Sequence, residues 1–227
     1  MKNKADTVQQ PKKVSGKLIL VFIILGIALL YIIFFPMSRI PQVDLPDRIC
    51  VLGDSLSLTL SDQLDEEVTE LVLDDNICIL SFYSADCLEK VCPVVMEQLS
   101  RIQTEYIDDQ EVKILSIALG RDDSLSRRQT FAKRFDAIPK KWYFLGGDLA
   151  EIKPLYFEQL SMPWYEGHSK VPMYHSDSIV LLDHLGGVRG FYDGTDAKSI
   201  DRLMADIILV QKWRKVKKKD ASRNRED

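Results

Sequence analysis

The chain has 227 residues, 46% of them hydrophobic and 28% charged, with a formal net charge of −4. That charge is uneven: residues 1–17 carry about +4 and residues 212–227 about +5, which leaves about −13 for the body between them. An acidic body argues against nucleic acid as a partner.

Residues 1–17 form a short, lysine-bearing N-terminus. The run that follows, Leu18 to Phe35 (LILVFIILGIALLYIIFF), holds neither charge nor proline over eighteen residues. At about 1.5 Å per residue, a helix of this length crosses a hydrocarbon core of roughly 30 Å with little tilt. A cleavable signal peptide would have an apolar region of about 7–15 residues and a small-residue cleavage site. Here the run ends in Phe34-Phe35-Pro36-Met37, so the expectation is an uncleaved transmembrane helix over 18–37. Five lysines precede it and only Arg39 follows closely. Positive charge is retained in the cytoplasm, which places the rest of the chain outside. Residues 38–48, with Pro41 and Pro46, read as an extended linker.

A single globular domain is expected over 49–211. Cys50 lies in an Ile-Cys-Val-Leu run ending at Gly53-Asp54, which reads as one arm of an early hairpin. Asn76 to Tyr83 (NICILSFY) is nearly continuous in apolar residues, as in a strand buried on both faces, and Cys78 inside it reads as a core residue. Past Cys92, the apolar residues Val95, Leu99, Ile102 and Tyr106 recur at helical spacing, and Pro93 suits the first helical position. Val112 to Leu119 is a second buried strand. Ser124 caps a helix with Leu125, Phe131 and Phe135 on its apolar side. Trp142 to Leu145 is a third strand. Asp148 and Glu151 resemble a capping box, with Pro154 set to kink or delay the helix behind them. Ile179 to Leu182 and Val188 to Tyr192 form a hairpin through the turn Asp183 to Gly187. Ile200, Leu203, Ile207 and Val210 mark a final amphipathic helix. Residues 212–227 read most simply as a solvated basic tail, with contact to anionic lipid or a partner as the alternative. Strands alternating with helices, closed by an antiparallel hairpin, predict an α/β domain with a mixed sheet flanked by helices, of thioredoxin-like architecture.

The segment SFYSADCLEKVCP carries Cys87 and Cys92 between the first core strand and its helix. Helix N-termini favour anions, so thiolates there are ready as nucleophiles or ligands. Three readings stand open: a local disulfide, a redox pair, and part of a metal site. Redox pairs usually have two intervening residues, and here there are four. Two thiolates with one imidazole suit copper, whereas structural zinc sites close with a fourth ligand. Three histidines could supply the imidazole. His184 sits at a hairpin tip and reads as solvated, and His168 lies in a polar loop. His175 immediately precedes the late strand, whose entry loop packs beside the first helix in a thioredoxin-like sheet.

Taken together, these residues resemble the Sco/SenC family of membrane-anchored copper chaperones. The likeness rests on Cys87 and Cys92-Pro93 after the first core strand, and on His175-Ser176 before the late hairpin. It extends through Ser116 to Asp136 and Trp142 to Leu145, and covers roughly Leu58 to Leu209. The resemblance implies copper held by Cys87, Cys92 and His175. It further implies assistance to the assembly of the dinuclear copper centre of cytochrome c oxidase subunit II, with other copper carriers as partners. It places the chain in the bacterial inner membrane, single-pass, with its domain on the extracytoplasmic side. The family has three residues between its cysteines where this chain has four. A loop bulge can absorb the extra residue, and lost metal affinity is the other consequence open to it. Two further functions fit the same residues: a thiol-disulfide reductase using Cys87 and Cys92 on the oxidase subunit's cysteines, and a metal-free assembly scaffold.

Overall fold

Every residue of the strand Ile77–Tyr83 is buried, and the domain is assembled around it. The computed structural model describes residues 50–51, 59–84, 91–119, 123–162 and 177–223; for Cys50, Val51, Val91 and residues 219–223 it describes the backbone. The expected anchor (18–37) and linker (38–48) lie outside the described residues. Among the described residues, no helix is long and apolar enough to cross a membrane.

In chain order the elements are β1 (Cys50–Val51), β2 (Thr59–Ser61), β3 (Glu67–Thr69), β4 (Ile77–Tyr83), α1 (Val91–Glu105), β5 (Val112–Ala118), α2 (Leu125–Arg134), β6 (Trp142–Leu145), α3 (Leu149–Pro154), β7 (Ser178–Leu182), β8 (Gly187–Asp193) and α4 (Ala197–Arg223). Six strands form one sheet in the order β1-β8-β7-β4-β5-β6. β4, β5 and β6 are parallel, with Leu80 opposite Leu115 and Ile114 opposite Trp142. β7 runs antiparallel to β4 and β8 antiparallel to β7, which makes the sheet mixed.

Side-chain alternation along β4 explains why its sequence shows no polar-apolar period. Ile77, Ile79 and Tyr83 join Val95, Met96, Leu99 and Ile102 of α1, Phe131 of α2, and Ile200, Leu203, Ile207 and Val210 of α4. Cys78, Leu80 and Phe82 face the other way, onto Leu60 of β2, Ile152 of α3 and Tyr156. Each fully buried large apolar side chain contributes about 1.5–3 kcal/mol relative to exposure. A strand covered on both faces therefore selects apolar residues throughout.

Both expected caps form. Ser124 accepts from the Arg127 N–H at the start of α2, and Asp148 accepts from the Ala150 N–H at the start of α3. Pro154 ends α3, and the chain continues as a π-helical stretch, Leu155–Gln159. A widened turn there fits the hydrogen bond that proline cannot donate.

Three expectations need correction. β1 pairs with β8, Val51 opposite Gly187, and is not an arm of an early hairpin; that hairpin is β2–β3. α1 begins at Val91, so Pro93 is its third residue and Cys92 lies inside its first turn. Proline is tolerated there because the first four helical N–H groups have no intrahelical acceptor. The last helix runs on to Arg223, well past the expected domain end at 211, and Arg214 is only 3% exposed.

Candidate metal and redox site

The carboxyl ends of β4, β5 and β6 converge where the chain leaves β4 for α1. Tyr83 closes β4, and its carbonyl accepts from the Leu119 N–H at 2.7 Å, which ties the ends of β4 and β5 together. Ser84, also buried, follows. Cys92, in the first turn of α1, is 4% exposed and disulfide-bonded. Cys87 lies outside the described residues, as does the side chain of Cys50. Cys78, by contrast, is a free thiol buried completely in β4, and burial pushes it up to about 12. Its Sγ meets the Val72 carbonyl at 3.6 Å. Such a thiol stays protonated and inert, as the sequence indicates.

His175 and His168 also lie outside the described residues. The chain is described again at Asp177, two residues beyond His175. The Asp177 carbonyl accepts from the Gly194 N–H at 2.7 Å. A Cβ built on Gly194 would stand 2.8 Å from that same carbonyl and 3.1 Å from both methyls of Val95. Val95 is buried on α1, three residues beyond Cys92. Glycine is thus the residue that lets the β7 entry, the end of β8 and the start of α1 close on one another. The segment that leads out of His175-Ser176 is therefore anchored one helical turn from Cys92, while the positions of Cys87 and His175 are not described.

His184 is at the other end of the sheet. β7 is antiparallel to β4, so the turn from Asp183 to Gly186 lies at the amino ends of β4 and β5, roughly 20 Å from the cysteine end for a seven-residue strand. It is not a solvated turn residue. Its ring packs 5.1 Å from that of Trp213, and its Nδ1 is buried without a hydrogen-bond partner among the described residues. Trp213 comes from the part of α4 that composition assigned to a loose tail.

A polar group that sequence patterns did not reveal lies beside the cysteine end. Arg128, buried in α2, pairs with Asp123 and donates to Ser61 Oγ at 2.9 Å. Gly146 abuts this pair so closely that a Cβ would collide with the carboxylate and the guanidinium. Burial pushes the Asp123 carboxyl above the usual carboxylate range, although Arg128 acts in the opposite sense. The Tyr83 hydroxyl is buried and has no hydrogen-bond partner among the described residues, and burial together with the Asp123 charge raises its pKa. The only local signal was Asp123 beside the capping Ser124.

Among the described residues, no three histidine, cysteine or acidic side chains are grouped as a metal site. Chemically, the described part of the site is a helix N-terminus with one oxidised cysteine. In a disulfide Cys92 offers no thiolate, so a metal could be taken up only after reduction.

The sequence profile of the SCO1/SenC family matches residues 56–210. The chain belongs to that family. Solved structures agree on the fold. A SCO1/SenC family lipoprotein from Bacillus anthracis str. Ames is 17% identical with a TM-score of 0.65, over 74% of this chain and 99% of its own. BsSco, a member of the Sco family of cytochrome c oxidase assembly proteins in which a disulfide switch is identified, is 19% identical with a TM-score of 0.62, over 74% and 97%. ScoI of Arabidopsis thaliana, solved with copper bound, is 20% identical with a TM-score of 0.54, over 70% and 97%. No curated protein sequence matches the chain.

Proposed function

We propose that this SCO1/SenC member is a copper-binding assembly factor that carries a copper ion as cargo to the dinuclear centre of cytochrome c oxidase subunit II. The observation that carries the reading is the Gly194 junction. It holds the β7 entry, two residues from His175, against α1, one turn from Cys92. In this reading Cys87 and Cys92 supply thiolates and His175 an imidazole. Thiolates select copper(I), and imidazole accepts either oxidation state. A three-coordinate ion leaves an open position through which a recipient's ligand can enter, which suits delivery over storage. Copper in the structure of Arabidopsis ScoI supports this chemistry in a relative of the same fold.

The proposal extends to placement. Residues 18–37 anchor the chain in the bacterial inner membrane, residues 38–48 link it, and residues from 49 onward lie on the extracytoplasmic side. The apolar run and the lysine asymmetry around it support that assignment.

Reconstitution of the reduced full-length chain in detergent with copper(I) tests the site. One copper per chain is expected in the wild type, with stoichiometric binding lost in His175→Ala and in Cys92→Ser. Unchanged stoichiometry and spectrum in His175→Ala would remove that residue from the site.

The oxidised state of Cys92 favours a second reading, thiol-disulfide exchange with the recipient's cysteines. A thiolate of the reduced pair would attack the subunit II disulfide and form a mixed disulfide. The second thiolate would then resolve it, leaving the recipient as a dithiol and this chain as a disulfide. Reduction of a subunit II disulfide by a chain that holds no copper would favour this reading over delivery.

A further inference from the structure

α4 starts at the cysteine end of the sheet and descends to the opposite end, the base. There the guanidinium of Arg214 lies 2.5 Å from Asp75 and 2.6 Å from Glu111, the residues leading into β4 and β5. The helix then runs on past the strands. Lys212, Lys215, Lys217 and Lys218 are all exposed on this stretch. Lys218 reaches Asp75 at 3.4 Å, but among the described residues Lys212, Lys215 and Lys217 have no acidic partner. The base also has acidic groups. Asp75 and Glu111 are engaged by Arg214, Asp109 accepts from Gln211 of α4, Asp183 is buried against Arg189, Glu70 and Asp74 are exposed on the β3 side, and Asp108 is exposed before β5.

Two further features share this end. Leu185, at the tip of the β7–β8 turn, is 59% exposed, and Leu71, shortly before β4, is 67% exposed. The Asp75 N–H donates to the His184 carbonyl at 3.3 Å, which places that turn beside the segment entering β4. The N-terminal strand also joins here, since Val51 of β1 pairs with Gly187 at the start of β8. The first described residues of the domain thus lie at the end that carries the lysines and the exposed leucines.

We propose that the base is a docking surface for an anionic phospholipid bilayer. Lys212, Lys215, Lys217 and Lys218 lie on the headgroups and Leu185 at the interface. Surface lysines are drawn to anionic lipid within a Debye length, about 8 Å at physiological salt. The acidic remainder of the domain is repelled by the same surface, and that opposition favours one orientation. The cysteine end, a sheet's length away, then faces outward towards a recipient. A membrane, more than an acidic protein, fits the coincidence of a basic helix and exposed leucines at one end. The proposal rests on the anchored reading only for the tether that brings the base close to lipid.

Acylation of lysines in the full-length chain, read by mass spectrometry, tests the contact. The chain is placed in nanodiscs of phosphatidylcholine alone, or of phosphatidylcholine with phosphatidylglycerol. The expectation is that phosphatidylglycerol slows modification of Lys212, Lys215, Lys217 and Lys218 roughly five-fold and that high salt reverses this. Lys198, exposed at the opposite end of α4, keeps its rate. Equal rates for the four lysines in the two lipids would overturn the proposal. So would undiminished protection of Lys218 in K212Q/K215Q/K217Q. Alkaline carbonate extraction from cell membranes judges the anchor separately. A chain released by carbonate contradicts the anchor, while its lysine rates on added phosphatidylglycerol vesicles still decide the docking surface.

Discussion

Gln63 is joined to Trp142 as a neighbouring strand would be. Its side-chain Nε2 donates to the Trp142 carbonyl at 2.9 Å, and its Oε1 accepts from the Phe144 N–H at 2.8 Å. β6 is an edge of the six-stranded sheet. The amide thus pairs two backbone groups that the edge would otherwise leave open. Gln63 is itself 3% exposed, so water is a poor substitute. Gln63→Ala is expected to cost about 2–4 kcal/mol, from two buried groups left unsatisfied. Urea unfolding checks this as a lowered midpoint at unchanged slope. A loss below about 0.5 kcal/mol would mean that water re-pairs both groups.

Gly194→Ala tests the junction beside the cysteines. The new methyl would meet the Asp177 carbonyl at 2.8 Å and the two Val95 methyls at 3.1 Å, so the β7 entry and α1 must separate. Overpacking of this kind costs about 1–3 kcal/mol. If His175 and Cys92 share a copper ion, affinity for copper(I) in competition with a chelator falls along with stability. Adding Val95→Ala removes the methyl contacts but not the carbonyl contact, so the double variant recovers part of both. Wild-type affinity in a destabilised Gly194→Ala would separate the junction from metal binding.

The turn at the base depends on Asp183. Its Oδ1 accepts from the Leu185 and Gly187 N–H groups at 2.8 and 2.9 Å, while Oδ2 lies 2.8 Å from Arg189 Nε and 2.7 Å from Nη2. Burial alone would raise its pKa, but these donors hold it below the usual carboxylate range. A carboxyl depressed in the folded state adds stability above its unfolded pKa, about 3.9, and loses it as pH falls through the lower folded value. Asp183→Ala leaves Arg189 buried without its partner and is expected to cost about 3–5 kcal/mol at pH 7. That penalty should shrink in acid, which paired denaturation curves at pH 7 and pH 3 will show.

Much of this architecture was legible because local pattern and tertiary role agree. The apolar run of β4 reports burial on both faces, and Ser124 and Asp148 report caps that form. Two kinds of feature were not legible. Gln63 meets β6 across 79 positions in sequence, and β1 pairs with a strand from the far end of the domain, so neither leaves a periodic trace. The other kind was hidden by composition. Lysines from 212 onward suggest a solvated tail, yet Trp213 packs against His184 and Arg189, and Arg214 bridges two carboxylates. Of the proposed ligands, Cys92 was placed at a helix N-terminus by the periodicity that follows it, and the structure puts it one residue inside.

His184 makes the base sensitive to mild acid. Burial lowers its pKa, with Asp183 and Asp75 acting upward and Arg214 and Lys218 downward. The folded protein therefore binds this proton less readily than the unfolded chain, in which histidine titrates near about 6.5. Above that pH both states are neutral and the group has no effect. As pH falls through it, the unfolded chain takes up the proton first and stability declines. The protonated ring would also be repelled by Arg214 and Lys218 of α4, so the contact of α4 with the base should loosen first. Melting temperature measured from pH 8 to pH 5.5 is expected to fall for the wild type and to stay nearly level for His184→Gln. Asp183 does not confuse the result, because its own contribution is lost only below about pH 4. An equal decline in the variant would assign the effect to other groups.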